Sequence, residues 1–236
     1  MKLIKTALCA TVASLAVAGA ANAQEFSFNV GAATDYVFRG LDQTGPLTEG
    51  EVFGGVDLTA GAFYAGTWVS NVGSSVDNAM EYDFYAGYKP ALGPLALDLG
   101  VVFYGYTESD SAAINSDWNT VEWKLAGSIP AGPATLGAAV YYSNDVASTD
   151  ESSLYYEVNA AFTLESGPTI SAAYGVFASD FPGVGAPDSY NTWNIGVTVP
   201  VTEKFSIDAR YIGADDDAAA FGSDFDGVVG TLKATF

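Results

Sequence analysis

The chain has no histidine, one cysteine, two methionines and only eight basic residues among 236. Without an imidazole, a serine nucleophile lacks its usual base and a zinc site lacks its commonest nitrogen ligand. The single cysteine, Cys9, lies within the opening stretch MKLIKTALCATVASLAVAGAANA. The rest of the chain therefore holds no disulfide and no thiol nucleophile. Neither a phosphate-cradling glycine loop nor a GxSxG nucleophile elbow occurs. Basic residues are so scarce that nucleic acid is excluded as a partner, because its phosphates are neutralised by Lys and Arg. Beyond the opening stretch, no apolar run approaches the ~20 residues of a membrane-spanning helix.

The opening stretch has the layout of a secretory signal. Lys2 and Lys5 precede an apolar run, and Ala21-Asn22-Ala23 supplies a small-x-small cleavage site. Cleavage is expected after residue 23, leaving residues 24–236 as one domain. Six bases then face 28 acids, a formal charge of −22.

What the mature chain does have is alternation. From Phe26 to Phe38 the even positions carry Phe26, Phe28, Val30, Ala32, Thr34, Tyr36 and Phe38, while Ser27, Asn29, Asp35 and Arg39 fall on the odd ones. A period of two marks a strand with one apolar face. The same pattern recurs at roughly 51–59, 62–71, 80–89, 95–107, 118–129, 134–143, 153–163, 168–178, 190–199, 204–213 and 226–236, twelve strands in all. Connections alternate too. Short turns fall near 60–61, 90–94, 130–133, 165–168 and 200–203, and long polar loops near 40–50, 72–79, 108–117, 144–152, 179–189 and 214–225.

The fold class expected is all-β: a transmembrane antiparallel β-barrel of about 12 strands with short periplasmic turns and long extracellular loops. A soluble β-sandwich or lipocalin-like barrel would alternate as well. The terminal Phe236, on one parity with Leu232 and Val228, and aromatics near many strand ends favour the membrane.

Three segments carry a family resemblance. Asn29-Val30-Gly31, Thr34-Asp35-Tyr36-Val37-Phe38-Arg39-Gly40 with Gln43 following, and Phe63-Tyr64-Ala65-Gly66-Thr67-Trp68-Val69-Ser70-Asn71-Val72 are similar to the TorF family of small outer-membrane porins. The resemblance implies a barrel and a pore, and it carries over no transported substrate.

Parity assigns the inward face. The expected pore-lining residues are Asp35, Arg39, Asp57, Glu81, Asp83, Asp98, Glu122, Lys124, Glu157, Asp208 and Arg210, with Glu51, Lys89 and Lys233 also inward. Acids outnumber bases in this set, so a modest cation preference is expected. Arg39 would brace the wall by pairing with Asp35 or a neighbouring acid, or else touch the solute, while Tyr36 and Phe38 would meet lipid. Glu81 and Asp83 could serve as paired acid and base, but a solvated channel wall is the simpler reading, and no enzyme activity is expected. No cofactor or metal is expected either, because the acidic run Asp215-Asp216-Asp217 lacks EF-hand spacing.

The chemistry therefore points to a channel for small hydrophilic solutes; the alternative is a non-conducting barrel whose external loops serve a structural, adhesion or partner-binding role. Expected partners are outer-membrane lipid and lipopolysaccharide, the barrel assembly machinery through the strand ending in Phe236, and the solutes themselves.

Overall fold

The computed structural model describes residues 24–45, 50–73, 78–108, 114–181, 183 and 185–236. The expected signal segment lies outside them, as do parts of four of the expected long loops. Twelve long strands form one antiparallel sheet: β1 (Gln24–Ala33), β2 (Glu51–Ala60), β3 (Phe63–Asn71), β4 (Asn78–Tyr88), β5 (Leu95–Glu108), β6 (Ile114–Ala131), β7 (Ala134–Ser143), β8 (Ser153–Thr163), β9 (Thr169–Ser179), β10 (Ser189–Pro200), β11 (Phe205–Ala214) and β12 (Asp226–Thr235). A two-residue piece, Ala91–Leu92, pairs onto the start of β5 within a short turn.

Each strand pairs with its neighbours in sequence, and β1 pairs with β12 through Asn29↔Thr235 to Ala33↔Thr231, so the sheet closes on itself. Closure removes the exposed edges that would otherwise recruit other strands. Phe236 completes the seam by exchanging two backbone hydrogen bonds with Phe28. Connections of two to six residues lie at the end where the described chain starts and finishes; at the other end four of the six connections run to nine residues or more, and those after β3 and β5 have six and five.

The polarity of the barrel is inverted relative to a water-soluble protein. Phe26, Phe84, Trp123, Val158, Ile195 and Val228 lie exposed on the outside, whereas Glu81, Asp83, Glu122, Glu157, Asp208 and Lys233 are buried. An apolar exterior around a polar interior is what a β-barrel needs when its outer solvent is hydrocarbon, since closed barrels satisfy every backbone group internally. Among the described residues no helix is long and apolar enough to cross a membrane.

The first strand departs from expectation. β1 stops at Ala33, where the Thr34 hydroxyl accepts the Gly230 amide and the Thr34 amide donates to the Gly230 carbonyl. The chain then folds into a small hairpin, Val37–Phe38 against Leu41–Asp42, which forms a two-stranded sheet of its own. Its turn residues Arg39 and Gly40 have φ of 51° and 82°. Two positive φ angles in succession suit the tight type I′ turn of a hairpin, a turn that a continuous strand does not contain. Asp42 closes the base, its carboxylate accepting the Thr44 and Gly45 amides at 2.8 and 2.9 Å.

Candidate functional site: the barrel lumen

The hairpin lies inside the barrel, because its side chains reach strands on nearly every side. Tyr36 packs edge-on against Trp68 of β3 and donates a 2.9 Å hydrogen bond to Glu81 of β4. Phe38 lies 5.8 Å from the Tyr104 ring of β5. Arg39 meets Glu122 of β6, Tyr141 of β7, Tyr155 of β8 and Phe177 of β9. Gly40 sits so close to β10 and β11 that a Cβ there would fall 2.7 Å from Thr192 Oγ1 and 2.9 Å from Ala214 Cβ. Only a segment within the ring can touch all of these.

Arg39 makes a fork-to-fork ion pair with Glu122, Nη1 to Oε1 at 2.6 Å and Nη2 to Oε2 at 2.8 Å. The two side chains are only 8% and 4% exposed, so the pair is sealed from water. Around the guanidinium the rings of Tyr155, Phe38 and Tyr141 have centroids at 4.3, 4.6 and 5.0 Å, distances at which an aromatic face attracts a cation. Burial pulls the Arg39 pKa down, but the Glu122 carboxylate more than offsets it, and the guanidinium stays charged. Burial, with Glu81 and Asp83 adding to it, pushes the Tyr36 phenol well above its ordinary range and keeps it a neutral donor.

Sequence parity places Asp35 and Arg39 on the wall of the first strand and turns Tyr36 and Phe38 to lipid. All four belong to the inserted segment instead. Asp35 accepts the Thr44 hydroxyl, and Tyr36 and Phe38 are lumenal. The physical cause is the Arg39-Gly40 turn, which reverses the chain and so cancels the strand that alternation alone implied.

The remaining predicted residues are spread over the inner face of the wall, each with its own partners. Lys124 Nζ lies 2.7 Å from Asp98, which also accepts the Tyr64 hydroxyl at 2.8 Å. Arg210 reaches Asp208, Asn194 and Ser171, and Thr198 donates to the same Asp208 carboxylate. Glu157 accepts from Tyr155 and Asn159, and Asp57 accepts from Tyr85 at 2.6 Å. Glu51 takes the Ser70 hydroxyl, and Asp83 Oδ1 is buried with no hydrogen-bond partner among the described residues. Lys89, in a short turn, holds its ammonium 4.3 Å from the Tyr64 ring centroid.

The expected pore lining names no tyrosine, although parity puts Tyr85 and Tyr155 on the polar face. Tyr64, Tyr85 and Tyr155 lie flat over glycines of adjacent strands, where a Cβ at Gly87, Gly66 or Gly175 would come within 2.3 to 2.6 Å of atoms of the phenol. Glycine opposite an aromatic gives the ring room to lie down, and those glycine positions were the available signal. The mouth at the long-loop end is narrowed again by Phe221, whose ring packs 5.0 Å from Tyr190 and 5.6 Å from Phe177. Beside it, the Asp215-Asp216-Asp217 run is not a free acidic loop. Asp215 accepts from the Asn191 amide, and Asp216–Ala220 forms a short 3-10 turn.

A family model described as a bacterial protein of unknown function, Gcw_chp, matches residues 17–236. The chain belongs to that family. No curated protein matches it in sequence. Among solved structures, the NanC porin superposes with a TM-score of 0.58 at 8% identity, covering 90% of this chain and 99% of that one. A KdgM porin gives 0.58 at 9% identity over 89% and 98%. KdgM in complex with disordered oligogalacturonate gives 0.58 at 8% identity over 91% and 98%. This Gcw_chp protein therefore has the fold of the porins along essentially its whole described length.

Proposed function

We propose that the protein is an outer-membrane, porin-type channel for passive diffusion of small hydrophilic solutes, with a modest preference for cations. The observation that carries this reading is the inverted polarity of a closed twelve-strand barrel: apolar residues such as Phe26 and Val158 outside, charged ones such as Glu81 and Asp208 inside. Porin folds at 98 to 99% coverage of the other chain support it, as does the TorF-like motif. Asp57, Glu81, Asp83, Asp98, Glu122, Lys124, Glu157, Asp208 and Arg210 would line the pore. Arg39 and Asp35 would enter it from the hairpin. Permeation involves no covalent step. The expected route to this location is export by the signal at residues 1–23, then assembly through the strand that ends at Phe236, with lipopolysaccharide around the outer rim.

The cation preference rests on charge balance. Bases pair with Glu122, Asp98 and Asp208, whereas Glu51, Glu81, Asp57 and Glu157 take hydroxyl or amide donors. A water-filled lumen with that surplus attracts cations, more strongly at low salt.

A second reading, a non-conducting barrel acting through its external loops, is favoured by one observation: the inserted hairpin reaches walls from β3 to β11. Reconstitution in planar bilayers separates the two. The channel reading expects discrete conductance steps and, under a KCl gradient, a reversal potential of cation sign. Bilayers that stay silent with folded wild type and with folded protein freed of the hairpin would remove it.

A further inference from the structure

The obstruction in the lumen is built differently from the wall around it. The hairpin strands pair with each other and with none of the twelve barrel strands, and Leu41 adds one isolated bridge to Asp224 of the loop before β12. Its backbone is tied at the long-loop end, where Asp42 donates to Ser223, Phe225 donates to Gly40, and Gly73 donates to Gln43. The twelve-strand ladder would stay intact if the tip withdrew. The Phe225–Gly40 bond ties the tip to the loop before β12, and side-chain chemistry ties it to the wall: the Arg39–Glu122 fork, its aromatic surround, and the Tyr36–Glu81 bond. The Arg39 backbone sits at φ 51°, a left-handed conformation unfavourable to a side chain, and such strain persists where the surroundings enforce it.

The layer that the tip covers is acidic. Glu51 and Glu81 are bonded to the hydroxyls of Ser70 and Tyr36, Asp83 Oδ1 is buried without a hydrogen bond, and Asp83 lies within electrostatic range of Glu122. A buried carboxylate oxygen without a donor is stabilised once water reaches it. Withdrawal of Arg39 would strip Glu122 of its cation and expose it beside these acids.

We propose that the 34–45 segment is the gate of the channel, that Arg39–Glu122 is its latch, and that release uncovers an acidic filter of Glu51, Glu81, Asp83 and Glu122 that passes small cations. The inference rests on the channel reading above and adds to it where the pore closes and what selects the solute. One set of carboxylates serves twice: Glu122 holds the gate shut through Arg39, and it joins the filter when Arg39 leaves. Like-charge exclusion by the opened ring disfavours anions.

Charge exchange across the latch tests the proposal, because the ladder is untouched and the fold can be checked by heat-modifiable mobility. Single-channel recordings in KCl compare the wild type, Arg39→Glu, Glu122→Arg, the double exchange, and a variant whose residues 36–43 are replaced by a Gly-Ser linker. Arg39→Gln, which removes the latch without adding a like charge, guards against a folding defect in the single exchanges. The wild type is expected to be mostly closed. Either single exchange or Arg39→Gln should raise the open fraction at least about tenfold, and the double exchange should restore closure. The linker variant should stay open with a cation-sign reversal potential that moves toward zero on adding Glu81→Gln and Asp83→Asn. A linker variant indistinguishable from the wild type in conductance and open fraction overturns the gate and leaves the channel standing. An open linker variant selective for anions overturns the filter. Folded variants that never conduct overturn the channel reading itself, and the gate with it.

Discussion

Glu122→Gln is the most direct probe of what holds the hairpin in place. The substitution keeps the shape of the side chain and leaves a carbonyl able to accept one guanidinium hydrogen bond, but it removes the charge that faces Arg39 across 2.6 Å. Breaking one partner of a buried ion pair costs about 3 to 5 kcal/mol, because the other charge stays buried without compensation. The retained hydrogen bond offsets about 1 kcal/mol of this. The contacts of Arg39 with Tyr155 and Phe38 are unchanged, so the net loss is about 2 to 4 kcal/mol and falls on hairpin seating rather than on the strand ladder. At 1.4 kcal/mol per factor of ten, the unseated population rises about 30- to 700-fold. Trypsin reads that population directly, since the Arg39–Gly40 bond is reachable only when the tip leaves the lumen. When opening is fast relative to cleavage, the rate of fragment formation follows the open fraction. The assay is limited digestion of detergent-folded protein, scoring the fragment that ends at Arg39, with heat-modifiable mobility as the check on the barrel. A cleavage rate within about threefold of wild type, on a barrel that remains folded, would refute the reasoning and move the anchoring to the loop contacts at Ser223 and Phe225.

Further outcomes are expected. Gly40→Ala should also speed cleavage at Arg39, because the residue sits at φ 82° with its Cβ position 2.7 Å from Thr192 Oγ1. Val158→Arg, on a residue 59% exposed midway along β8, should lower stability in vesicles by about 2 to 4 kcal/mol if it lies near the midplane, measured by urea titration. The adjacent inward Asn159→Arg, which can pair with Glu157, should be tolerated in the same titration. Gly175→Ala places a Cβ 2.3 Å from the Tyr155 hydroxyl and should cost about 1 to 3 kcal/mol through overpacking, visible as a lower midpoint of heat-modifiable mobility. Lys124→Met removes the base that pairs with Asp98 and should shift the reversal potential further in the cation direction.

Most of the wall was legible from alternation. The parity of Glu81 and Asp83 against Tyr82 and Phe84 on β4 is the parity of the structure, with the carboxylates buried and Phe84 among the exposed aromatics. Strand ends were less legible. β6 runs from Ile114 to Ala131, beyond the 118–129 expected, because pairing with its neighbours extends a strand past the point where its own pattern fades. The Arg39–Glu122 pair was not legible at all. Its members are 83 residues apart, and nothing in the local order of either segment names the other.

By itself the sequence determined an antiparallel twelve-strand barrel, its inside and outside, and the end at which the long loops gather. A two-residue period survives any closure of the sheet, and side chains cannot change face without a shift of register. Only the tertiary structure decided that Thr34 to Gly45 turns into the lumen. A strand and a short hairpin share the same alternation, and they differ in whether Arg39 and Gly40 take positive φ. That choice is settled by the cation-binding surround that strands β6 to β9 assemble around the guanidinium.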